Sequence, residues 1–230
     1  MPRVKLPRKS THVDMTAFCD VAFLLLSFFM LATKFKPEEA VEIKTPSSVS
    51  SDVLPDKDFI MVSIDKDGKV YFNMDAEARE SNERMDKSSP LLKLETIKGL
   101  NQTRSLGLSN EEMATFVKSE QIGVPFSQLK QFLDLPDEER SKIKMAGIPS
   151  DSTNNELKYW VTEAINNFAT TKRPTNLLIK GDNNTKYPAF DQVIKTFKDL
   201  EQFKFKLITA PDDVPHTSDL FRQNALKPKT

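Results

Sequence analysis

The 230-residue chain has little of what several common chemistries require. It holds one cysteine, Cys19, which excludes an intramolecular disulfide framework and any multi-cysteine metal site. Its two histidines, His12 and His216, lie near opposite ends. Glycine is scarce, six residues against fourteen prolines, and no Gly-x-Ser-x-Gly elbow, phosphate loop or dinucleotide glycine pattern occurs. Net charge is absent too, since 33 Lys and Arg balance 33 Asp and Glu. With a pI near 6.8 this argues against nucleic acid, whose binders carry a basic footprint. A mean hydropathy of −0.45 excludes a multi-spanning membrane protein but leaves room for one spanning helix. No catalytic residue, cofactor or metal ligand is assigned, and the chain is not expected to be an enzyme.

The first fifty residues differ from the rest. Residues 1–12 carry Arg3, Lys5, Arg8 and Lys9 and no acid. Met15 to Thr33 is then apolar except for a single charge, Asp20. As a helix that run is roughly 28 Å long, about the thickness of a hydrocarbon core. Lys34 and Lys36 follow, so four cations before the run outweigh two after it, which keeps the N-terminus cytoplasmic. A cleaved secretory signal has the same order of basic then apolar stretch. It fits less well, because Met30 would stand three residues before a cut at Ala32, where a small side chain is required. A retained helix over 13–35 is therefore expected.

Asp20 sets this helix apart from a plain tether. A carboxylate at the centre of a membrane helix costs about 2.5–3.5 kcal/mol on insertion scales. Helical spacing lines up Thr16, Asp20, Leu24, Ser27 and Leu31 on one stripe, while Phe18, Ala22, Leu25 and Phe29 face elsewhere. Such a polar face suits a wet or protein-lined interior, and a protonatable group there belongs to an ion path. The simpler alternative is a carboxylate reaching the cytoplasmic interface.

The run Val13-Asp-Met-Thr-Ala-Phe-Cys-Asp-Val-Ala-Phe-Leu-Leu-Leu-Ser-Phe-Phe-Met30 resembles the signature of the ExbD/TolR biopolymer-transport family. The family pattern Thr-Pro-Phe-x-Asp-Val falls on Thr16 to Val21, with Ala17 in place of proline. The resemblance makes Asp20 the proton-carrying aspartate, Thr16 and Ser27 its polar transmembrane neighbours, and Asp14 a helix-entry residue. It also implies a short cytoplasmic tail, one helix and a periplasmic domain.

The remainder predicts that domain from its own pattern. Asp58 to Phe72 is two strands about an Asp67-Gly68 turn. A calcium loop is excluded there, because Gly68 comes too early and Lys69 occupies a ligand position. A capping box at Thr153–Glu156 opens a helix with Leu157, Trp160, Val161, Ala164, Ile165 and Phe168 on one face. Thr175 to Asp182 is a strand, Tyr187 to Leu200 a helix with Pro188 at its start, and Phe203 to Thr209 an alternating strand. Lys180-Gly-Asp182 and Tyr187 also resemble the end of the family's periplasmic domain. The fold class is α+β: one N-terminal transmembrane helix, then a small two-layer domain with a mixed sheet, two helices and a helical insertion.

The expected organisation is a cytoplasmic tail over 1–12, the helix over 13–35, a linker over 36–57, a periplasmic domain over 58–213 and a tail over 214–230. Residues 79–150 form the insertion, with a capping box at Ser109–Glu112 and short helical pieces holding Leu129, Phe132, Leu133, Ile143 and Met145. They hold enough apolar residues for a small helical subdomain, either an accessory partner surface or padding; as an accessory subdomain they would be replaceable by a short polar loop. By resemblance, the chain is a subunit of a proton-motive-force-driven complex in the bacterial inner membrane. It would act as a homodimer inside a multi-spanning ExbB-like ring, with a TonB-like periplasm-spanning protein as its further partner, powering outer-membrane import. A TolR-like motor for envelope integrity and a passive anchored scaffold are the alternatives.

Overall fold

The computed structural model describes residues 15–32, 41, 43–49, 54, 55, 57–76, 80, 81, 84, 85 and 89–212. The chain divides into two units, Met1–Glu38 and Glu39–Thr230. The first holds helix α1, Met15–Ala32. The second begins with β1 (Ser47–Ser48), β2 (Phe59–Ile64), β3 (Val70–Asp75), β4 (Glu80–Ser81) and β5 (Arg84–Met85). Helices α2 (Ser89–Arg104), α3 (Asn110–Lys118), α4 (Phe126–Asp134), α5 (Asp137–Arg140) and α6 (Glu156–Thr170) follow. The order closes with β6 (Asn176–Gly181), α7 (Tyr187–Asp199), β7 (Lys206–Ile208) and β8 (Ala210–Pro211).

The main sheet has the order β3-β2-β6-β7, antiparallel between β3 and β2 and parallel thereafter. It is therefore mixed, as expected, and β6-α7-β7 is a strand–helix–strand crossover. The β2–β3 hairpin turns where Asp67-Gly68 predicts. Gly68 sits at φ +81° and its N–H donates to Asp65 O at 3.0 Å. The Asp65 carboxylate accepts the N–H groups of Asp67 and Lys69, so it closes the turn on itself.

Register explains the core. Ile60, Val62 and Ile64 stand opposite Met74, Phe72 and Val70 on one side. On the other side Ile60 and Val62 stand opposite Leu177 and Ile179. All are buried, in one cluster with Leu157, Trp160, Val161, Ala164 and Phe168 of α6 and Val193 and Phe197 of α7. The helical periodicities of α6 and α7 thus point as the sequence predicts.

Residues 79–150 are not a body of their own. Leu92, Ile97 and Leu100 of α2 are fully buried, and Thr96 of α2 receives a hydrogen bond from Asn167 of α6 at 3.0 Å. Trp160 is surrounded by Phe72 of β3, Phe116 of α3 and Phe126 of α4, with ring centroids 5.3, 5.4 and 5.7 Å away. The segment also covers the outer edge of β3, where Ile122 and Phe72 exchange backbone hydrogen bonds of 2.7 and 2.9 Å and Ile148 N–H donates to Val70 O at 2.8 Å. The expectation of a separable accessory subdomain is corrected: its apolar residues complete the one core.

Other details differ from the local reading. The Ser109–Glu112 capping box is present, but α6 is capped by Asn155, not Thr153. Glu156, placed in the second box, accepts Phe126 N–H at 2.6 Å instead, because a tertiary donor competes for it. The last strand is shorter than 203–209, with Phe203 and Leu207 exposed and Phe205 turned onto Phe197. Ile143 and Met145 lie in the loop after α5, outside any helix. Within the expected linker, Ser47–Ser48 pairs in parallel with Ala210–Pro211.

Candidate functional site

Helix α1 spans 18 residues, roughly 27 Å at 1.5 Å per residue, just under a hydrocarbon core of about 30 Å. No helix of the described residues is long and apolar enough to cross a membrane. Residues 13, 14 and 33–35 of the expected span, Asp14 among them, lie outside the described residues. What α1 does present is apolar surface on every side. Phe18, Phe23, Leu26, Phe28, Phe29 and Met30 are all at least 60% exposed. An isolated surface helix of a soluble domain would bury one such stripe and leave the other polar.

The sequence-predicted residues Thr16, Asp20 and Ser27 all fall on α1, and helical geometry brings Thr16 to the turn below Asp20. Ser27 donates to Leu24 O at 2.9 Å, which satisfies the hydroxyl within the helix. Asp20 is exposed, as is Cys19 beside it. No group of three or more His, Cys, Asp or Glu suited to a metal occurs among the described residues.

In the second unit, the end of β6 carries a built carboxylate site that its motif alone did not disclose. Asp182 is buried, accepting Lys44 N–H at 2.9 Å on one oxygen and Asn184 N–H and Nδ2 at 2.9 and 3.2 Å on the other. The donated N–H groups of Asn184 and Lys44 hold its carboxyl below the usual range. Asn183 N–H returns a bond to Lys44 O at 2.8 Å, so residues 43–48 lie clasped against this corner. Beside it Pro46, Ile179, Tyr187, Phe190, Leu207 and Ile208 line an apolar pocket of about 260 Å³.

Two further buried polar pairs serve architecture. Arg173 pairs with Asp58 at 2.7 Å, both side chains almost fully covered, at the root of β2. Tyr71 donates to Asp65 at 2.8 Å, and burial first, then that bond, pushes its phenol above the ordinary value.

A family model described as biopolymer transport protein ExbD/TolR matches residues 7–212, which takes in α1, the clasped segment, the helices of 79–150 and the whole sheet. The chain belongs to the ExbD/TolR family. No curated protein and no solved structure matches it. As an ExbD/TolR protein it is a subunit of energy-coupled biopolymer transport, in a family that is not enzymatic. The family is associated with the inner membrane and generally works with ExbB-like and TonB-like partners.

Proposed function

We propose that this ExbD/TolR protein is an inner-membrane energy-transducing subunit in which α1 enters the membrane and Asp20 carries protons. The observation behind this reading is the exposed apolar surface of α1 on every side, interrupted by one carboxylate. Water is a poor surrounding for that surface, and lipid or an apolar protein ring is a good one. In either place the charged form of Asp20 is costly, so proton uptake and release become coupled to how the residue is hydrated. Thr16 and Ser27 extend the polar stripe on which a proton would enter and leave.

Two copies of the chain, inside a multi-spanning ExbB-like ring, would place two such carboxylates at the ring axis. The N-terminus is cytoplasmic by the excess of early cations, which puts the sheet domain in the periplasm. There the domain passes the resulting motion to a TonB-like partner. The 13–35 boundaries, Asp14 at the helix entry and the homodimer belong to this proposal.

Asp20→Asn tests it. The amide keeps shape and polarity, removes the proton site and inserts more cheaply than the charged acid. At matched protein levels, gradient-driven import or envelope function is abolished in Asp20→Asn and retained in part in Asp20→Glu. An active Asn variant ends the proton-carrying reading and leaves the passive scaffold.

A further inference from the structure

A polar cavity of about 520 Å³ lies where the end of α2, the loop before α6 and residues of α6 and α7 meet. That volume is within the about 300–1,000 Å³ that small-molecule sites span. Tertiary bonds fix its walls. Asn155 Nδ2 donates to Thr196 of α7 at 2.8 Å, and Gln192 Nε2 donates to Asp151 at 2.9 Å. Ser150 and Asn155 form a bridge across the loop. The first N–H groups of α6 are spent as well, Glu156 and Leu157 on Pro149 O and Lys158 on Asn155 Oδ1. Recognition in this cavity therefore falls to side chains and not to the helix end.

The side chains left over are of two kinds. Arg104 and Lys158 form no ion pair with a described carboxylate, whereas Lys195 is held by Asp191 at 2.7 Å. Arg104 stacks on the Tyr159 ring, 4.4 Å from its centroid. Stacking fixes the plane of the guanidinium and leaves its N–H edge for a carboxylate. The hydroxyls of Ser152 and Thr153 bond to no described group, so they remain for hydroxyls of a ligand. Asp199, at the α7 end of the lining, accepts from a hydroxyl and limits the negative charge a ligand can bring. We propose that this cavity binds a hydroxylated monocarboxylic acid of sugar size. Arg104 and Lys158 take its carboxylate, and Ser152, Thr153 and Asp199 take its hydroxyls. Arg104 comes from the 79–150 segment, so a chain without that segment lacks the site. The cavity lies wholly within the second unit, and its binding does not depend on the proposed function of α1.

Titration calorimetry of the full-length chain in detergent, with D-glucuronate as the probe, tests this. D-glucuronate binds saturably with a Kd of about 1 mM or tighter. D-glucose, which lacks the acid, and acetate, which lacks the hydroxyls, each bind at least tenfold more weakly. The dianion D-glucose 6-phosphate binds no better than D-glucuronate. No saturable binding of D-glucuronate in that range overturns the site. Equal binding of D-glucose overturns the part given to the cations, and equal binding of acetate overturns recognition of hydroxyls. Tighter binding of D-glucose 6-phosphate overturns the limit set by Asp199.

Variants then place the binding in this cavity. Arg104 and Lys158 are exposed, so Arg104→Gln and Lys158→Gln keep the denaturation midpoint of the wild type. Arg104→Gln weakens D-glucuronate at least tenfold and Lys158→Gln at least threefold. Unchanged affinity in both puts the bound acid elsewhere and overturns the site. Arg104→Lys keeps the charge without the planar fork and gives an intermediate loss, which serves if the glutamine variant disturbs Tyr159. Ser152→Ala combined with Thr153→Ala weakens D-glucuronate and leaves acetate as it was; an equal loss for both overturns the role of the hydroxyls. Gradient-driven activity is not the readout, so the result stands or falls apart from that of Asp20→Asn.

Discussion

Asp20 and Asp182 show how far one residue type is decided by its surroundings. Asp20 is exposed on α1 and draws its meaning from the apolar helix around it. Asp182 is built into a corner by three N–H donors. Because those donors hold its carboxyl below the usual range, its contribution to holding Lys44 N–H is complete above the ordinary carboxyl value of about 3.9. It is lost as pH falls through the lowered value. Exchange protection of the Lys44 amide is therefore flat from neutral pH down to about 4 and collapses only in stronger acid. A second position is set by space. A Cβ on Gly123 would lie 2.1 Å from the buried Tyr71 ring, so Gly123→Ala destabilises by about 1–3 kcal/mol, visible as a lower denaturation midpoint. Arg173→Met leaves Asp58 charged, covered and without its ion-pair partner, and costs about 3–5 kcal/mol by the same measurement.

At the scale of elements, residues 79–150 carry the largest consequence. Replacing them with a short polar loop changes closure entropy little, about 0.6 kcal/mol per doubling of loop length. It also strips Leu92, Ile97, Leu100, Phe116, Leu129 and Leu133 from the core, each worth about 2–5 kcal/mol when truncated. Together these losses are as large as, or larger than, the about 5–15 kcal/mol by which domains are stable. The shortened chain therefore loses cooperative unfolding, and Trp160 emission moves to that of a solvated indole. The helices α3, α6 and α7 were legible because each repeats apolar residues at helical spacing behind a capping residue or a proline. Helix α2 was missed although Ser89-Pro90 is a helix-start pattern, since Leu91 to Leu94 and Ile97 are interleaved with Lys, Glu and Thr. The pairing of β1 with β8 was hidden as well: Lys44 to Ser48 has no apolar alternation, and its pairing partner lies at the other end of the chain.

For the whole molecule, orientation is the property most open to measurement. A cysteine placed at the exposed Lys142, in a Cys19→Ser background, reacts with an impermeant thiol reagent in intact cells with a permeabilised outer membrane. Reaction only after lysis places the sheet domain in the cytoplasm and removes the proposed partners. The hairpin about Gly68, the crossover ending and the helix bearing Asp20 follow from local pattern, because turn chemistry and periodicity act between near neighbours. So does membership of the ExbD/TolR family, which that pattern suggested and the match over 7–212 established. Tertiary structure alone decided that 79–150 shares the core, that Glu156 leaves its cap for Phe126 and that Asp182 clasps Lys44. Each of those depends on residues tens of positions apart competing for the same donor or the same buried volume, and a sequence pattern holds no record of that competition.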